Sequence, residues 1–119
     1  MNAFPWLATA TIVALVLWMI VKKQNSDAQI SADGVREQIR AGAQIVDVRT
    51  VDEFRMGAYP RAVNIPLADL NARLAEIPKD KPVIVYCHSG RRSAAAAVQL
   101  KQAGYRKIIN AGGLADMPD

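Results

Sequence analysis

The chain of 119 residues has only one cysteine and one histidine, Cys87 and His88, and they are adjacent. A single cysteine cannot form a disulfide within the chain, so the fold needs no oxidising compartment, and an unpaired thiol favours the reducing cytoplasm. One cysteine and one histidine also fall short of the full ligand set of a structural zinc site. The sequence therefore excludes a disulfide scaffold, and no metal or other cofactor is expected.

The chain also lacks a concentrated patch of positive charge. It has 15 lysines and arginines against 11 acidic residues, and Lys22 and Lys23 supply part of the small excess. Elsewhere the two signs are interspersed, whereas nucleic-acid binders usually gather basic residues on one face with aromatic residues among them. We therefore expect no nucleic-acid partner. The one local exception is the pair Arg91 and Arg92.

Charge is absent altogether from the first 21 residues. As a helix, residues 4–21 would span roughly 27 Å, close to the hydrocarbon thickness of a bilayer. Trp6 and Trp18 lie near the two ends of this segment, and two lysines follow it, as in membrane-spanning helices. No basic residue precedes the apolar run and no clear cleavage site follows it, which favours an uncleaved anchor over a signal peptide. The sequence thus predicts a transmembrane helix within residues 1–23, in contact with the lipid bilayer through residues 4–21.

The position of the charges also predicts an orientation. Positive charge follows the apolar run, so the positive-inside rule places the rest of the chain on the cytoplasmic side. We therefore expect a single-pass protein of a bacterial-type inner membrane. Residues 24–30 are predicted to form a polar linker, and residues 31–119 a single folded domain.

From Ser31 onward, helical and strand patterns alternate. Predicted helices follow the cap at Ser31, the capping box formed by Thr50 and Glu53, and the apolar spacing that begins at Leu67. The helices cover residues 31–41, 50–57, 67–77 and 93–103, and the strands cover residues 44–49, 62–65, 83–86 and 106–110. Strands joined through helices predict an α/β fold with a mostly parallel sheet flanked by helices. Ligands of such sheets bind beyond the carboxyl ends of the strands, where Cys87 lies.

Residues 87–93, CHSGRRS, separate an apolar strand from an alanine-rich helix. This arrangement directs several backbone N–H groups and a helix N-terminus at one point, which favours an anion and lowers the pKa of a thiol below about 8.5. Gly90 allows the loop to curl. His88 is expected to line the loop rather than act as a base, because adjacent residues in a tight loop rarely face each other. The alternative for Cys87 is a small buried apolar residue, but its position favours a reactive thiolate.

Five motifs together resemble the rhodanese family of sulfurtransferases, over nearly all of residues 31–119. They are Asp47-Val48-Arg49, Glu53-Phe54-Arg55-Met56-Gly57, Pro60-Arg61-Ala62-Val63-Asn64-Ile65-Pro66, the loop from Cys87 to Ser93, and Gly112-Gly113. The resemblance implies a rhodanese-like domain in which Cys87 is the catalytic nucleophile. It would take sulfur from thiosulfate or a persulfide donor, hold it as a persulfide, and pass it to a small-thiol, protein-thiol or cyanide acceptor.

The resemblance also implies roles for the residues around the nucleophile. The residues expected to bind substrate are His88, Ser89, Gly90, Arg91 and Arg92. Of these, Arg92 is expected to balance the charge of departing sulfite, with Arg91 as a second candidate. A supporting role is expected for Asp47, Arg49 and Ser93.

Two other functions stay open. A phosphatase or arsenate reductase-like enzyme also uses a cysteine loop, but the phosphatase loops resemble C-x5-R, one residue longer than the C-x4-R formed by Cys87 and Arg92. A shorter ring leaves less room for a tetrahedral phosphate. A non-catalytic, membrane-tethered binding module is the other alternative, against which the presence of both Cys87 and Arg92 in a loop of the right length argues.

Overall fold

The structure is a computed structural model, and it describes residues 5–27 and 30–119. Its helices are α1 (Pro5–Asp27), α2 (Ala32–Arg40), α3 (Val51–Arg55) and α4 (Arg91–Gln102). Its strands are β1 (Gln44–Asp47), β2 (Val63–Asn64), β3 (Val83–Cys87) and β4 (Ile108–Gly113). Three 3-10 helices cover Leu67–Asp69, Asn71–Glu76 and Leu114–Asp116.

The four strands form one parallel sheet in the order β2-β1-β3-β4. This confirms the predicted α/β fold with a parallel central sheet. Strand β3 lies between β1 and β4, so Cys87, its last residue, has a strand end on either side. The register between β3 and β4 shifts after Val85, and Tyr86 pairs with Gly112 rather than with Ala111. This irregularity places Gly112 and Gly113 beside the end of β3.

The sheet is buried on both faces. Alternate residues of β3 point to opposite faces, because side chains of a strand have a period of two. Val83, Val85 and Cys87 belong to one apolar cluster, which Ala96 and Leu100 of α4 complete. Ile84 and Tyr86 belong to the second, together with Val35 of α2. Helices therefore cover both faces of the sheet, with α4 on the face that carries Cys87 and α2 on the other.

Two helix starts have the predicted caps. Ser31 Oγ accepts a hydrogen bond from the Gly34 N–H over 3.3 Å at the start of α2. At α3, Thr50 Oγ1 accepts from the Glu53 N–H, and Glu53 Oε1 accepts from the Thr50 N–H, each over 3.3 Å. The predicted capping box is confirmed. It fixes the position of α3 relative to the end of β1.

Several element boundaries differ from the prediction, and strands β1 and β2 are each two residues shorter than predicted. Residues 67–77 form two 3-10 helices instead of one α-helix, with non-helical backbone at Arg73. Apolar residues three apart lie on one side of a 3-10 helix as well, so the spacing did not distinguish the two. Helix α4 begins at Arg91 rather than Ser93, because Gly90 already has the left-handed conformation that ends the loop. Strand β4 extends to Gly113, three residues beyond the predicted end.

The predicted transmembrane helix is not supported. A spanning helix needs about 20 consecutive, mostly apolar residues. Within residues 5–27 and 30–119, no helix combines the length and the apolar character needed to cross a bilayer. The bilayer contact expected for residues 4–21 therefore has no structural support.

Helix α1 occupies most of the segment in question, and the side chains of residues 8–20 on it are exposed. It continues through Asp27, so most of the predicted linker is helical, and residues 28 and 29 lie outside the described residues. The prediction of a membrane anchor also used Trp6, Lys22 and Lys23, and the side chains of these residues lie outside the part that the structure describes. The cytoplasmic location at a bacterial-type inner membrane stays a prediction.

Leu100 offers a direct test of the core between α4 and the sheet, because its side chain is fully buried in the first cluster. Replacing it with alanine removes buried methyl groups and leaves a cavity. We expect Leu100→Ala to lower the free energy of unfolding by about 2–5 kcal/mol, measured by urea denaturation. Val98 lies on the same helix but is 55% exposed, so Val98→Ala is the control and should change stability by less than about 0.5 kcal/mol. Equal losses in the two variants would contradict this packing.

Candidate active site

The Cys87 thiol lies at the carboxyl end of β3, enclosed by the loop that follows it. The Gly90 N–H donates a hydrogen bond to Cys87 Sγ over 2.9 Å, and the thiol donates to Ser93 Oγ over 3.5 Å. Gly90 has a φ of 94°, in the left-handed region that glycine adopts without steric cost. This conformation turns the following chain into α4, whose first turn brings Ser93 back to the sulfur.

The environment of Cys87 favours its thiolate. Burial by itself raises the pKa of the thiol, but the Ser93 hydroxyl and the backbone N–H groups of Ser93, Gly90 and Ser89 oppose this, and together they lower the pKa below its ordinary value. Hydrogen bonds to the charged form stabilise it. Since the thiolate is the nucleophilic form of cysteine, this loop holds a reactive sulfur.

Ser93 connects the loop to the last strand. Its Oγ lies 3.0 Å from the Gly90 carbonyl oxygen and 3.3 Å from the Gly112 carbonyl oxygen. The hydroxyl can donate its proton to either carbonyl while Cys87 is a thiol, and to the sulfur once Cys87 is a thiolate. Ser93 lies in the first turn of α4 and is fully buried. The hydroxyl therefore holds the sulfur, the loop and β4 at fixed distances from one another.

Gly113 lets the last strand approach the loop. A Cβ atom on Gly113 would lie 2.3 Å from the His88 carbonyl oxygen, a distance that real Cβ atoms do not reach. The φ of Gly113 is −92°, so this glycine is needed for space and not for its backbone conformation. The N–H of Gly113 donates to Asp116 Oδ2 over 2.8 Å, which holds the strand end in place.

Arg92 is bound by a carboxylate from α3. Its Nη1 and Nη2 donate to Glu53 Oε1 and Oε2 over 2.7 and 2.9 Å. Both side chains are partly exposed, at 34% for Arg92 and 33% for Glu53. The Arg92 hydrogen bonds hold the pKa of Glu53 at about 2. The guanidinium is thus paired with a protein carboxylate instead of being free for an anion.

A second ion pair is buried at the end of β1. Arg49 Nη2 donates to Asp47 Oδ2 over 2.7 Å and to the Gly57 carbonyl oxygen over 2.7 Å. The Tyr86 hydroxyl donates to Asp47 Oδ2 over 2.7 Å and accepts from the Tyr59 N–H. Burial, followed by the hydrogen bond to Asp47, raises the pKa of Tyr86 to about 12. These contacts tie the end of β1 to β3 and to the chain after α3.

The structure brings some of the predicted site residues to the sulfur and leaves others away from it. Gly90, Ser93 and the backbone of Ser89 surround the thiol, whereas the side chains of His88, Ser89 and Arg91 are exposed. Asp47 and Arg49 pair with each other at the end of the neighbouring strand.

Sequence reasoning missed three contacts around the site. Glu53 was assigned to a helix cap, and its pairing with Arg92 joins residues 39 positions apart. The Tyr86 hydroxyl was not linked to Asp47. Asn64 was only part of a motif, yet its Nδ2 donates to the carbonyl oxygens of Asp47 and Arg49. Each of these residues lies in or beside one of the five motifs, but no local pattern indicates its partner.

A metal site was not expected, and the described part of the chain contains no group of three or more histidine, cysteine, aspartate and glutamate side chains placed to hold an ion. The groups that converge on the sulfur are N–H and O–H donors. Such a donor set suits an anion. The arrangement can therefore stabilise a thiolate and a negatively charged group beside it.

Comparison with known proteins gives one family. The profile of the rhodanese-like domain matches residues 31–116. A sulfurtransferase of Allochromatium vinosum is 42% identical over 58% of this chain and 64% of its own length. A thiosulfate sulfurtransferase of Escherichia coli is 39% identical over 60% of this chain and 71% of its own length. The chain thus spans less than two thirds of the first of these relatives.

Solved structures agree with the sequence matches. A rhodanese with anions from Escherichia coli superimposes with a TM-score of 0.61 at 37% sequence identity. The superposition covers 65% of this chain and 95% of that structure. The part that matches is nearly the whole of the solved domain.

The Ser93 hydroxyl can be tested through the pKa of the thiol. Ser93→Ala removes one of the groups that lower this pKa, so we expect the midpoint of the pH dependence of iodoacetamide alkylation at Cys87 to move to higher pH. Ser89→Ala is the matched control, because it removes an exposed hydroxyl and keeps the backbone N–H, and its midpoint should equal that of the wild type. An unchanged midpoint in Ser93→Ala would contradict the role given to this hydroxyl.

The Glu53–Arg92 pair can be tested by acid denaturation. The pKa of Glu53 falls from 4.5 to about 2 on folding, so the stability it contributes is present above pH 4.5 and is lost as the pH falls from 4.5 through 2. We expect the unfolding free energy of the wild type to decrease more across this range than that of Glu53→Gln. The control Asp52→Asn removes a neighbouring exposed carboxylate and should retain the wild-type decrease. A decrease as large in Glu53→Gln as in the wild type would show that the pair does not form in solution.

Proposed function

The chain belongs to the rhodanese-like domain family, and from that premise we propose that it is a sulfurtransferase in which Cys87 carries sulfane sulfur as a persulfide. The observation that carries the proposal is the Cys87 sulfur itself. It lies at the carboxyl end of the central strand, its pKa is lowered, and backbone N–H groups surround it. These are the properties of a nucleophile that acts next to an anion.

In the first step the Cys87 thiolate attacks the outer sulfur of a donor. With thiosulfate, a bond forms between Sγ and the sulfane sulfur, and the bond from that sulfur to the sulfonate sulfur breaks. The bonding pair leaves with sulfite, which takes up the negative charge that the thiolate brought, and the terminal sulfur of the persulfide keeps the negative charge it carried in thiosulfate. No oxidant or reductant is required. A small-molecule persulfide would donate by the same displacement, with a thiolate as the leaving group.

In the second step the persulfide gives up its terminal sulfur. A nucleophilic acceptor, such as a small thiol, a protein thiol or cyanide, attacks that sulfur, and the bond to Sγ breaks with its electron pair returned to Cys87. The thiolate is then restored. The N–H groups that stabilise the thiolate at the start also stabilise it as the leaving group here, so one arrangement serves both steps.

The relatives support this reaction class. The Escherichia coli protein that resembles this chain in sequence is a thiosulfate sulfurtransferase. The solved rhodanese that superimposes on this chain is described as a rhodanese with anions. Residues 88–92 are the ones we propose to bind the anionic part of the donor. Within this range the backbone N–H groups of Ser89 and Gly90 lie near the sulfur, and the exposed side chain of Arg91 adds a positive charge beside the loop.

The loop length favours sulfur over phosphate. Four residues separate Cys87 from Arg92, and helix α4 begins at Arg91. Ser93 then reaches back to within 3.5 Å of the sulfur, which closes the ring. A sulfane sulfur is a single atom and can occupy the space above Sγ, whereas phosphoryl transfer places several oxygens there.

Intact-mass spectrometry tests the proposal. We expect wild-type protein incubated with thiosulfate without reducing agent to gain one sulfur, about 32 Da, and Cys87→Ser to gain none. Adding cyanide should return the wild-type mass and release thiocyanate. Ser89→Ala is the control that keeps the nucleophile and should gain the sulfur.

Two results would count against it. A wild-type protein that keeps its mass with thiosulfate and with cysteine persulfide alike would favour a non-catalytic binding module. Hydrolysis of phosphate esters without any thiocyanate would favour a phosphatase-like enzyme.

A further inference from the structure

We propose that Glu53 is a specificity-determining residue of the sulfurtransferase site, and that it directs the enzyme to persulfide donors of low negative charge and against dianionic donors such as thiosulfate. This inference rests on the proposed function. It concerns the choice of donor, and Glu53 takes no part in the sulfur-transfer steps described above.

The first support is the geometry of the ion pair. Arg92 is the arginine that an anionic donor would be expected to use, but both of its terminal nitrogens donate to Glu53, one to each carboxylate oxygen. Paired N–H bonds of this kind are stronger and more directional than a single contact. A donor that is to bind Arg92 must therefore compete with a carboxylate already in place.

The second support is that Glu53 is held in position independently of Arg92. Its Oε1 also accepts hydrogen bonds from the Thr50 N–H and from Thr50 Oγ1, the latter over 3.0 Å. These are the bonds of the capping box that starts α3. The carboxylate is thus fixed before any donor arrives, and the loss of its partner does not release it.

The third support is the electrostatic reach of Arg92 to the sulfur. The hydrogen bonds to Glu53 raise the pKa of Arg92 the most, and the charge of the Cys87 thiolate raises this pKa to a lesser extent. The guanidinium therefore acts on charge at the nucleophile, and the carboxylate bound to it reduces that effect. Because the pair is only about two thirds buried, solvent screens part of the field but does not remove it.

The consequence depends on the charge of the donor. A dianion loses the most attraction when the arginine is neutralised, and it is repelled most by the fixed carboxylate, since both energies scale with the charge of the donor. A donor such as cysteine persulfide, with one net negative charge, meets about half of this repulsion. The backbone N–H groups of the loop, which Glu53 does not contact, serve both donors. The discrimination therefore comes from Glu53 and Arg92.

The test compares Glu53→Gln with Asp52→Asn, a neighbouring exposed carboxylate on the same helix. Glutamine can keep the capping box, and the two variants change the net charge equally. We expect Glu53→Gln to lower the KM for thiosulfate in thiocyanate formation by about threefold to tenfold, with kcat changed by less than about twofold. The KM for cysteine persulfide should fall in Glu53→Gln by only about the square root of that factor, roughly twofold to threefold, and both KM values should change by less than about twofold in Asp52→Asn. Glu53→Asp, which keeps the charge, should discriminate as the wild type does.

A binding measurement separates this inference from the proposed function. Inorganic sulfate is an unreactive dianion, and its Kd can be measured from the NMR shifts of the backbone N–H groups of residues 88–92. Glu53→Gln should bind sulfate about threefold to tenfold more tightly than the wild type, and Asp52→Asn should not. If the wild type transfers no sulfur, the proposed function fails, and sulfate binding still decides the role of Glu53. Equal sulfate affinities in all three proteins, or an equal KM for thiosulfate in an active wild type and Glu53→Gln, would overturn the inference.

Discussion

The hydrogen bond from the Gly90 N–H to the Cys87 sulfur determines how the surrounding chain is arranged. The N–H of Gly90 reaches the sulfur, and the positive φ of the same residue ends the loop after three residues and starts α4 at the next one. Ser93 then lies one turn into the helix, within reach of the sulfur and of the Gly112 carbonyl. The anion-binding character of the site thus comes from backbone N–H groups that lie on either side of the φ bond of one left-handed residue.

The buried pair Asp47–Arg49 supports the site from the neighbouring strand. Two buried charges are costly to remove from water, and the cost is offset here by hydrogen bonds to the Gly57 carbonyl and from the Tyr86 hydroxyl. Tyr86 precedes Cys87 in β3 and points to the opposite face of the sheet. Through Tyr86 the pair therefore holds in place the strand that carries the nucleophile. The contact is made on the face of the sheet opposite to the sulfur. The two ion pairs connect different parts of the site. Asp47–Arg49 holds β3, and Glu53–Arg92 joins α3 to the first turn of α4.

Local patterns predicted much of this structure, and long-range contacts were the part they could not supply. The caps at Ser31 and Thr50 depend on residues three apart and were predicted correctly. The start of α4 was placed two residues late, because Gly90 caps the helix by its backbone conformation and not by a side chain. The Glu53–Arg92 pair could not be derived from the sequence, because nothing local shows that α3 packs against the loop 39 residues later. Gly112 and Gly113 were recognised as a motif, but only the close approach of the His88 carbonyl explains why a side chain has no room there.

The position of β4 at the edge of the sheet has a consequence for the order of folding. The Ser93 hydroxyl and the loop carbonyl at His88 both contact β4, which is the last strand of the chain. The pairing of β3 with β4 spans the whole of α4, and closing a loop of that length costs entropy before the contacts compensate for it. The groups that lower the pKa of Cys87 all lie within six residues of it, so completion of the sheet acts on the sulfur through the one hydroxyl, that of Ser93, which β4 also binds.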